Sequence, residues 1–328
     1  MEKVGVVVIG RNEGDRLIRS LESVVDGSRP IVYVDSGSTD GSCEEARKRG
    51  VEIVELDLSI PFTAARARNA GFERMSEKYP EVEYVQFIDG DCEVVKGWLK
   101  AAVDTLEKNP QVVAVCGWRR EIYPERSVYN RICDVEWRMG AIGTILSFAG
   151  DVMIRSEALA AVGGYNNSMI AFEEGELCVR LRQNGGILLR IDRNCTLHDA
   201  DIQSVVQWWK RAKRWGYGLA QISYVYGTFT ERHFVQSILR IWLWGIMIPL
   251  LALALAVPSY GISLLALGRY PVAIWREISR KQKAGYSRED SVAWGISAPM
   301  AAIPGALGLV QFYLDRLSNK QHKIIEYK

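Results

Sequence analysis

The sequence predicts an α/β fold with a mostly parallel sheet and flanking helices, followed by a C-terminal hydrophobic helical region. Three observations support this prediction: strand-like runs alternate with helical patterns, polar residues gather where those strands end, and two later stretches are almost without charge. Apolar residues make up 48% and charged residues 24% of the 328 residues, which excludes a disordered, collagenous or coiled-coil chain.

Five strand-like runs come in regular order along the N-terminal part. They cover residues 4–9, 31–35, 51–56, 84–89 and 112–117. The first intervening segment has an apolar stripe that is typical of a helix packed on a sheet, formed by Leu17, Ile18, Leu21, Val24 and Val25. Because helices connect the successive strands, we expect the strands to run mostly parallel.

The loops after the first two strands are rich in glycine and polar residues. Gly10, Arg11 and Glu13 follow the first strand, and Asp35 ends the second, ahead of a Gly-Ser-Thr-Asp-Gly run. Open α/β sheets bind ligands where the carboxyl ends of the strands converge. These residue types are also typical of an ordinary turn, so the run does not by itself require a ligand. Neither a G-x-G-x-x-G run after the first strand nor a P-loop is present, which disfavours a dehydrogenase and a P-loop NTPase.

Two carboxylates, Asp89 and Asp91, end the fourth strand with Gly90 between them. Alternate residues of an extended chain share a face, so both carboxylates can point together, and the glycine permits close approach of a phosphate. Such paired charges repel one another unless a cation lies beside them, and oxygen ligands suit Mg²⁺ or Mn²⁺. An isolated Asp-x-Asp is common in surface turns, so this metal prediction depends on the other motifs.

Further motifs follow in order. Residues 64–71 read Ala-Ala-Arg-Ala-Arg-Asn-Ala-Gly, and a Gly-Asp segment, a Gly-Gly-Tyr turn and an acidic helix start lie in residues 148–155, 162–165 and 172–181. With the Asp-Gly-Asp run, these motifs resemble an inverting family 2 glycosyltransferase of the GT-A fold over about residues 4–217. The resemblance implies transfer of a sugar from a nucleoside diphosphate sugar donor to a hydroxyl acceptor.

The resemblance also implies roles for individual residues. Glu174 would be the catalytic base. The residues that would bind the nucleotide are Gly10, Arg11, Glu13, Asp35, Arg68, Asp89 and Gly90. The ligands of Mg²⁺ or Mn²⁺ would be Asp91, Asp89 and His198. The residues on the acceptor or diphosphate side would be Asp151, Glu173, Arg211, Arg214 and Trp215.

Two positions depart from the family's pattern. Ser36 follows Asp35 where many members have a second aspartate, which leaves one carboxylate to bond the base of the nucleotide. Glu174 stands where the family's base is usually Asp, and a longer side chain can still take a proton if it reaches the acceptor. The alternative is that Glu173, Glu174 and Glu176 only complement the dipole of their helix.

A cationic, tryptophan-rich segment covers residues 207–217. Indole and Lys or Arg side chains together suit a membrane interface. The net charge of +2 is too balanced for a nucleic-acid-binding protein, so we expect no nucleic acid partner. The segment ends like the Q-x-x-R-W box of processive family members, but Arg211 replaces the glutamine and leaves processivity in doubt.

The C-terminal region has the composition of a membrane-associated segment. Residues 241–257 are uncharged and would span about 26 Å as a helix, close to the ~30 Å of a bilayer core. We predict a hairpin over about 241–275 and a re-entrant or interfacial segment over about 292–312, which contains Pro299 and Pro304. The basic loop at 276–288 favours a cytosolic face for itself and for the catalytic domain. A buried helical subdomain of a soluble protein is the alternative.

These observations predict a glycosyltransferase domain over residues 1–233 and a membrane-associated region over residues 234–328. The N-terminus enters a strand directly, and the six cysteines lack disulfide or zinc spacing, so we expect a cytosolic domain at the cytoplasmic membrane with reduced thiols. The expected acceptor is a lipid-linked or cell-surface glycan. Two rivals remain: a catalytically silent nucleotide-sugar-binding or scaffold protein at the membrane, and a soluble nucleotidyltransferase. The motifs name neither the sugar nor the nucleotide.

Overall fold

A computed structural model describes residues 3–226 and 232–318 of the chain. The contacts divide the chain into two compact units, the first comprising residues 1–122 and 137–200 and the second residues 123–136 and 201–328. The predicted domain boundary after residue 233 lies within the second unit and remains a prediction. The last ten residues of the predicted membrane-associated region, 319–328, lie outside the described residues.

Within the described residues, nine strands form one sheet in the first unit. They are β1 (Val4–Gly10), β2 (Ile31–Asp35), β3 (Glu52–Glu55), β4 (Tyr84–Asp89), β5 (Cys92–Val94), β6 (Val112–Glu121), β7 (Gly143–Thr144), β8 (Val152–Arg155) and β9 (Ile187–His198). The order across the sheet is β3-β2-β1-β4-β8-β6-β9-β5, and β7 also pairs with β9. All five predicted strands are confirmed.

The parallel part of the sheet brings the predicted motifs to one edge. In the parallel pairs that β1 forms with β2 and β4, Gly10 lies opposite Asp35 and Ile9 opposite Asp89. β8 is antiparallel to both of its neighbours, β4 and β6, so the sheet is mixed rather than wholly parallel. β6 and β9 then run parallel again, and β5 pairs antiparallel with β9 so that Cys92 lies opposite His198.

Helices cover both faces of this sheet. The helices of the first unit are α1 (Asp15–Glu22), α2 (Ser42–Lys48), α3 (Ala64–Lys78), α4 (Trp98–Lys108), α6 (Ser156–Ala161) and α7 (Glu173–Gln183). Helix α5 (Val128–Trp137) belongs, except for Trp137, to the second unit. Val6 and Val8 of β1 pack in one apolar cluster with α1 and α4, and Val7 and Ile9 pack in another with α3 and α7. This alternation is the period of two that a strand buried on both faces requires.

The second unit is helical after residue 204. Its elements are α8 (Val205–Tyr226), α9 (Arg232–Trp242), a π-helical turn (Leu243–Met247), α10 (Ile248–Ala254), a 3₁₀ helix (Ile262–Gly268), α11 (Arg269–Lys283), α12 (Arg288–Met300) and α13 (Ala302–Leu317). Glycines let α8 and α13 approach closely. A Cβ on Gly216 would lie only 2.0 Å from the carbonyl oxygen of Gly305, so no larger residue fits there without separating the helices.

Two helical stretches of the described residues are long and apolar enough to cross a membrane, Phe234–Ala254 and Arg288–Leu317. Only 11% of the most apolar window of the first is buried within the protein, compared with 44% for the second. The second arm of the predicted hairpin, residues 262–275, is divided between the 3₁₀ helix and α11. Residues 292–312 lie within α12 and α13, and their membrane topology remains a prediction.

Candidate active site

The site lies at the edge of the sheet where β1, β2 and β4 end. Gly90 directly follows β4, and its amide donates to the carbonyl oxygen of Ile9 at 2.7 Å. A Cβ on Gly90 would lie 3.2 Å both from that oxygen and from Cγ of Glu13. Gly10 is equally close to Glu13, since a Cβ on Gly10 would also lie 3.2 Å from Cγ of Glu13. The two predicted glycines therefore bring the β1 and β4 loops into close backbone approach.

The loops after β1 and β2 are joined by side-chain hydrogen bonds. The Asn12 amide donates to Ser38 Oγ at 2.9 Å, and Asn12 Oδ1 accepts from the Thr39 amide at 2.7 Å. The Gly14 amide donates to Asp40 Oδ2 at 2.9 Å. Hydrogen bonds thus join residues 12–14 and residues 38–40 into one loop platform beside the sheet edge.

Asp35 is buried and forms hydrogen bonds with the loop platform. Its Oδ1 accepts from the Tyr33 hydroxyl at 2.9 Å, and its Oδ2 accepts from the amides of Gly37 and Ser38 at 2.9 and 2.8 Å. Burial and the adjacent Asp35 carboxylate raise the pKa of Tyr33, so the phenol stays a hydrogen-bond donor. Both oxygens of Asp35 are therefore used in shaping the loop, and its direct contact with a nucleotide base remains a prediction.

Arg11 and Glu13 occupy the first of the two loops. Arg11 is exposed, whereas Glu13 is partly buried and forms an ion pair with Arg16 of α1 at 2.9 Å. The β1 loop therefore presents a cationic side chain to solvent beside the glycines, and its contact with a nucleotide remains a prediction.

Arg68 of α3 lies buried among three carboxylates. Its Nη1 donates to Glu173 Oε1 at 2.8 Å, and its Nη2 lies 3.0 Å from Asp89 Oδ1 and 3.2 Å from Glu174 Oε1. Its guanidinium also lies over the ring of Tyr165, 5.5 Å from the centroid. Burial opposes the charge, but the three carboxylates outweigh it and raise the pKa of Arg68. Arg68 thus joins the end of β4 to the start of α7.

The acidic residues of α7 follow a strained backbone position. Phe172, directly before the helix, has a φ of 62°, which is uncommon for a large side chain and typical of functional sites. The side chain of Glu174 is 18% exposed and that of Glu173 only 6%. Burial and the neighbouring Glu173 carboxylate raise the pKa of Glu174 to about 7, against the opposing effect of Arg68.

A second guanidinium, that of Arg119 at the end of β6, bridges two aspartates. Its Nε donates to Asp151 Oδ2 at 2.5 Å, and its Nη2 lies 3.6 Å from Asp89 Oδ2. Thr196 also donates a hydrogen bond to Asp151 Oδ2. Asp151 Oδ1 is buried and accepts no hydrogen bond from the part of the chain that is described. Asp151 is thus an interior anion of the site that holds Arg119 in position.

Asp91 and His198 form the part of the site that best fits a divalent metal. His198 Nε2 lies 3.2 Å from Asp91 Oδ1, and ligand atoms of Asp91, Cys92 and His198 all lie within 4.8 Å of one another. Burial raises the pKa of the Cys92 thiol, which disfavours the thiolate that a metal would bind. A carboxylate oxygen with an imidazole nitrogen fits Mn²⁺ or another first-row divalent ion.

Asp89, the other predicted metal ligand, has a different environment. One of its oxygens contacts Arg68 and the other faces Arg119. Ligand atoms of Asp89, Cys92 and Asp151 also lie within 4.8 Å of one another, and the metal role of Asp89 remains a prediction.

The remaining predicted residues, Arg211, Arg214 and Trp215, lie on α8 in the second unit. Arg211 forms two hydrogen bonds with the carboxylate of Glu136, at 2.8 and 3.0 Å, and Trp215 is exposed. Their acceptor-side role remains a prediction.

Arg119 and its neighbour Trp137 were not predicted from the sequence. The Arg119 guanidinium lies over the Trp137 ring at 5.4 Å, and this ring meets His198 edge-to-face with 4.5 Å between centroids. A signal was present, because two arginines follow the apolar start of β6. The link from Asp89 through Arg119 and Trp137 to His198 required the spatial positions of four separate segments.

Comparison with known proteins finds a matching family model and similar sequences. Residues 5–162 match the model of Glycosyl transferase family 2. The succinoglycan biosynthesis protein ExoA of Rhizobium meliloti (strain 1021) is 25% identical over 217 residues, which cover 60% of this chain and 64% of that protein. The glucosyl-dolichyl phosphate glucuronosyltransferase of Haloferax volcanii is 25% identical over 170 residues, 45% of this chain and 52% of that protein. The chain thus spans about half to two thirds of the length of these relatives.

Among solved structures, the mannosyltransferase PcManGT from Pyrobaculum calidifontis, in complex with GDP-Man and Mn²⁺, has the same fold. The TM-score is 0.60 at 18% identity, and the alignment covers 94% of this chain and 87% of that one. The mixed sheet with helices on both faces is therefore the GT-A fold, as the sequence predicts. Residues 5–162 thus match glycosyl transferase family 2, and the chain has the GT-A fold.

Proposed function

We propose that the chain is an inverting glycosyltransferase that moves a sugar from a nucleoside diphosphate donor to a hydroxyl of a lipid-linked or cell-surface glycan. The observation that carries the proposal is the Arg68 cluster, in which one buried guanidinium contacts both Glu174 and Asp89. A base with a pKa near neutrality thereby lies beside the Asp-Gly-Asp segment of the donor side. This combination supports acceptor activation and leaving-group stabilisation in one site.

Glu174 is the best candidate for the base. It is more exposed than Glu173, and its pKa of about 7 matches the optimum for proton transfer at neutral pH. Asp151 is less suitable because Arg119 and Thr196 already bond its Oδ2 in a buried position. In the proposed step, Glu174 takes the acceptor proton while the acceptor oxygen attacks the anomeric carbon. The bond to the diphosphate breaks on the opposite face, which inverts the configuration.

The donor side is built by the β1, β2 and β4 loops. Gly10 and Gly90 allow the β1 and β4 loops to approach one another closely, and the exposed Arg11 supplies positive charge next to them. Asp91 and His198 would hold a divalent cation. That cation, when bound, would stabilise negative charge on the leaving diphosphate. The fit of these two residues supports Mn²⁺ as the first metal to test.

The names of the relatives guide the choice of substrates. The Pyrobaculum mannosyltransferase was solved with GDP-Man and Mn²⁺, and the Haloferax relative is named for a dolichyl phosphate substrate. We therefore propose a lipid-linked acceptor at the cytoplasmic membrane, with the catalytic unit facing the cytosol and the apolar helices at the bilayer. Arg211, Arg214 and Trp215 would lie on the acceptor or diphosphate side.

A donor screen tests the proposal. The full-length protein in detergent is incubated with UDP-, GDP- and other nucleotide sugars and Mn²⁺, and release of the nucleoside diphosphate is measured. We expect turnover of at least one donor that is lost in the Glu174→Gln protein. Donor binding without turnover by the wild-type protein would favour the silent binding protein instead. No binding of any donor would contradict both functions.

A further inference from the structure

Residues 244–270 of the second unit form an antiparallel helical hairpin. The Tyr270 hydroxyl donates to the carbonyl oxygen of Trp244, and their rings meet edge-to-face with 5.4 Å between centroids. Nearer the turn, Ser263 Oγ donates to the carbonyl oxygen of Ala252 at 2.7 Å. Both contacts connect residues that lie at similar distances from Val257 along the chain. The hairpin therefore turns around Val257.

The end of this hairpin is apolar and exposed. Val257 is 88% exposed and Tyr260 is 97% exposed. Other large exposed apolar residues on the two arms are Met247, Leu250, Leu251, Leu253, Leu255, Ile262, Leu264 and Leu265. No charged residue occurs between Arg240 and Arg269. An exposed apolar surface of this kind needs a partner, because monomeric soluble proteins rarely leave one in water.

The open end of the hairpin has the composition of a membrane interface. Trp244 and Tyr270 lie side by side there, and the Arg269 guanidinium lies over the Trp244 ring at 5.5 Å. Farther along α11 come the exposed Trp275 and Arg276. Apart from Tyr260 at the turn, the order outward is thus apolar residues and then aromatic residues together with cations. Aromatic rings favour the depth of lipid headgroups, and cations complement anionic headgroups.

The length of the arms decides how deep the hairpin can reach. The seven-residue 3₁₀ helix Ile262–Gly268 rises about 14 Å at ~2.0 Å per residue, which places Arg269 about 14 Å from the turn. A bilayer core is ~30 Å thick, so one leaflet of hydrocarbon measures about 15 Å. The apolar part of the hairpin therefore matches a single leaflet.

A full crossing would carry charges into hydrocarbon. To reach ~30 Å, the returning arm would need about 11 residues of α11 beyond the 3₁₀ helix, since an α-helix rises ~1.5 Å per residue. That length puts Arg269 at the middle of the bilayer and includes Arg276 and Glu277. Charged side chains at such depths are strongly unfavourable.

We propose that residues 244–270 insert into one leaflet of an anionic bilayer and return without crossing it. Lipid acyl chains cover the apolar turn, and Arg269 and Arg276 contact the headgroups. This inference replaces the bilayer-spanning form of the predicted hairpin. It rests on the membrane association within the proposed function, but not on the transferase chemistry.

Depth-dependent quenching tests the proposal on the full-length protein. A Tyr260→Cys variant is labelled with the fluorophore NBD and reconstituted in phosphatidylcholine vesicles containing phosphatidylglycerol. The background carries Cys43→Ser, because Cys43 is partly exposed and the other native cysteines are buried. Gln282→Cys, an exposed position at the end of α11, is the matched control. Lipids spin-labelled at acyl carbon 5 or 12, and iodide trapped inside or added outside the vesicles, serve as quenchers.

We expect the label at position 260 to be quenched about twofold more by the deep spin label than by the shallow one. Neither iodide trapped inside the vesicles nor iodide added outside should quench it. The label at position 282 should respond to external iodide. Quenching at position 260 by trapped iodide would show a crossing and overturn the inference. Shielding without spin-label quenching would mean that a second copy of the chain covers the turn, which also overturns it.

The proposed function and this inference fail separately. Donor turnover in a protein whose position 260 stays accessible to external iodide would overturn the inference and leave the transferase intact. A deeply quenched label in a protein without donor turnover would support the inference and contradict the transferase. A Val257→Asp, Tyr260→Asp double variant should lower the vesicle-bound fraction about tenfold if the turn is the anchor. Unchanged binding would overturn it.

Discussion

Replacing Glu174 by Gln removes the proposed base while keeping the shape of its side chain. A positioned general base contributes about 10²- to 10⁴-fold in rate, so we expect kcat for donor turnover to fall by that factor. Donor affinity should change little, because Glu174 is proposed to contact the acceptor hydroxyl and not the donor. Turnover is followed by release of the nucleoside diphosphate, and donor binding by calorimetry on the same preparations.

The pKa of Glu174 sets the pH dependence of the wild-type protein. With a pKa of about 7, about 1% of the side chain is ionised at pH 5 and about 90% at pH 8. A base must be ionised to act, so kcat/KM should rise about 90-fold between these values and level off above pH 8. The groups that face Glu174 are Arg68, Glu173 and Asp89.

The stability of the folded protein should change in the opposite direction. The folded state holds the Glu174 proton up to a pKa of about 7, compared with 4.5 for an ordinary glutamate. Folding stability is therefore lost as the pH rises through that window, by about 3 kcal/mol at most. Glu174→Gln should remove this loss, so the variant should melt at a higher temperature than the wild type at pH 8 but not at pH 4.5.

Glu173→Gln is the matched control. It removes the like charge that helps to raise the pKa of Glu174, so the midpoint of the pH profile should move to lower pH. The substitution also removes a charged hydrogen-bond acceptor of Arg68, so the free energy of unfolding should be lower than that of the wild type. A wild-type profile that is flat from pH 5 to pH 8, or an unchanged kcat in Glu174→Gln, would refute the reasoning. The base would then be Glu173 or Asp151.

Three further predictions concern the metal, the site geometry and the second unit. Asp91→Ala, or excess EDTA, should abolish donor turnover without unfolding the protein, and full activity in either case would contradict the metal assignment. Gly150→Ala should lower kcat about tenfold, because its Cβ would lie 2.6 Å from Arg68 Nη2. Gly216→Val should lower the free energy of unfolding by about 1–3 kcal/mol or more, because the larger side chain forces α8 away from Gly305. The loss is measured as a lower melting temperature in detergent.

Gly268→Ala is the control for both glycine substitutions. A Cβ there meets no described atom within 4 Å, and the φ of Gly268 is −60°, which alanine adopts readily. Activity and melting temperature should remain at wild-type values. If Gly150→Ala also left activity at the wild-type value, displacement of Arg68 would not matter for turnover. This result would contradict the interpretation that Arg68 positions Glu174.

The sheet and its ligand-binding edge were predictable because the signals are local. Strands β1, β2 and β4 are short apolar runs that end in a glycine or an aspartate, and the carboxyl ends of such parallel strands meet at one edge. Gly10, Asp35 and Asp89 accordingly lie on neighbouring strands. The antiparallel strand β8 was not predicted, because four residues bounded by Asp151 and a helix carry no directional signal.

The contacts of the site were less predictable than its location. Asp35 was predicted to meet a nucleotide, but its two oxygens already accept three hydrogen bonds from Tyr33 and its own loop. Arg119 was not predicted at all, since it contacts Asp89 and Asp151, which lie far from it in the sequence. Such contacts depend on the pairing of β4, β6 and β8, and no short sequence motif encodes that pairing.

The balance of charge in the site is an independent argument for a cation. The guanidiniums of Arg68 and Arg119 contact the carboxylates of Asp89, Asp151, Glu173 and Glu174, and the carboxylate of Asp91 lies beside His198 and Cys92. When all of them are ionised, these five carboxylates exceed the two guanidiniums by three negative charges. A diphosphate donor adds about two more, so its binding beside Asp89 and Asp91 is opposed unless a divalent cation is also bound. The metal should therefore strengthen donor binding itself, and a donor affinity that is equal with and without Mn²⁺ would contradict this interpretation of the site.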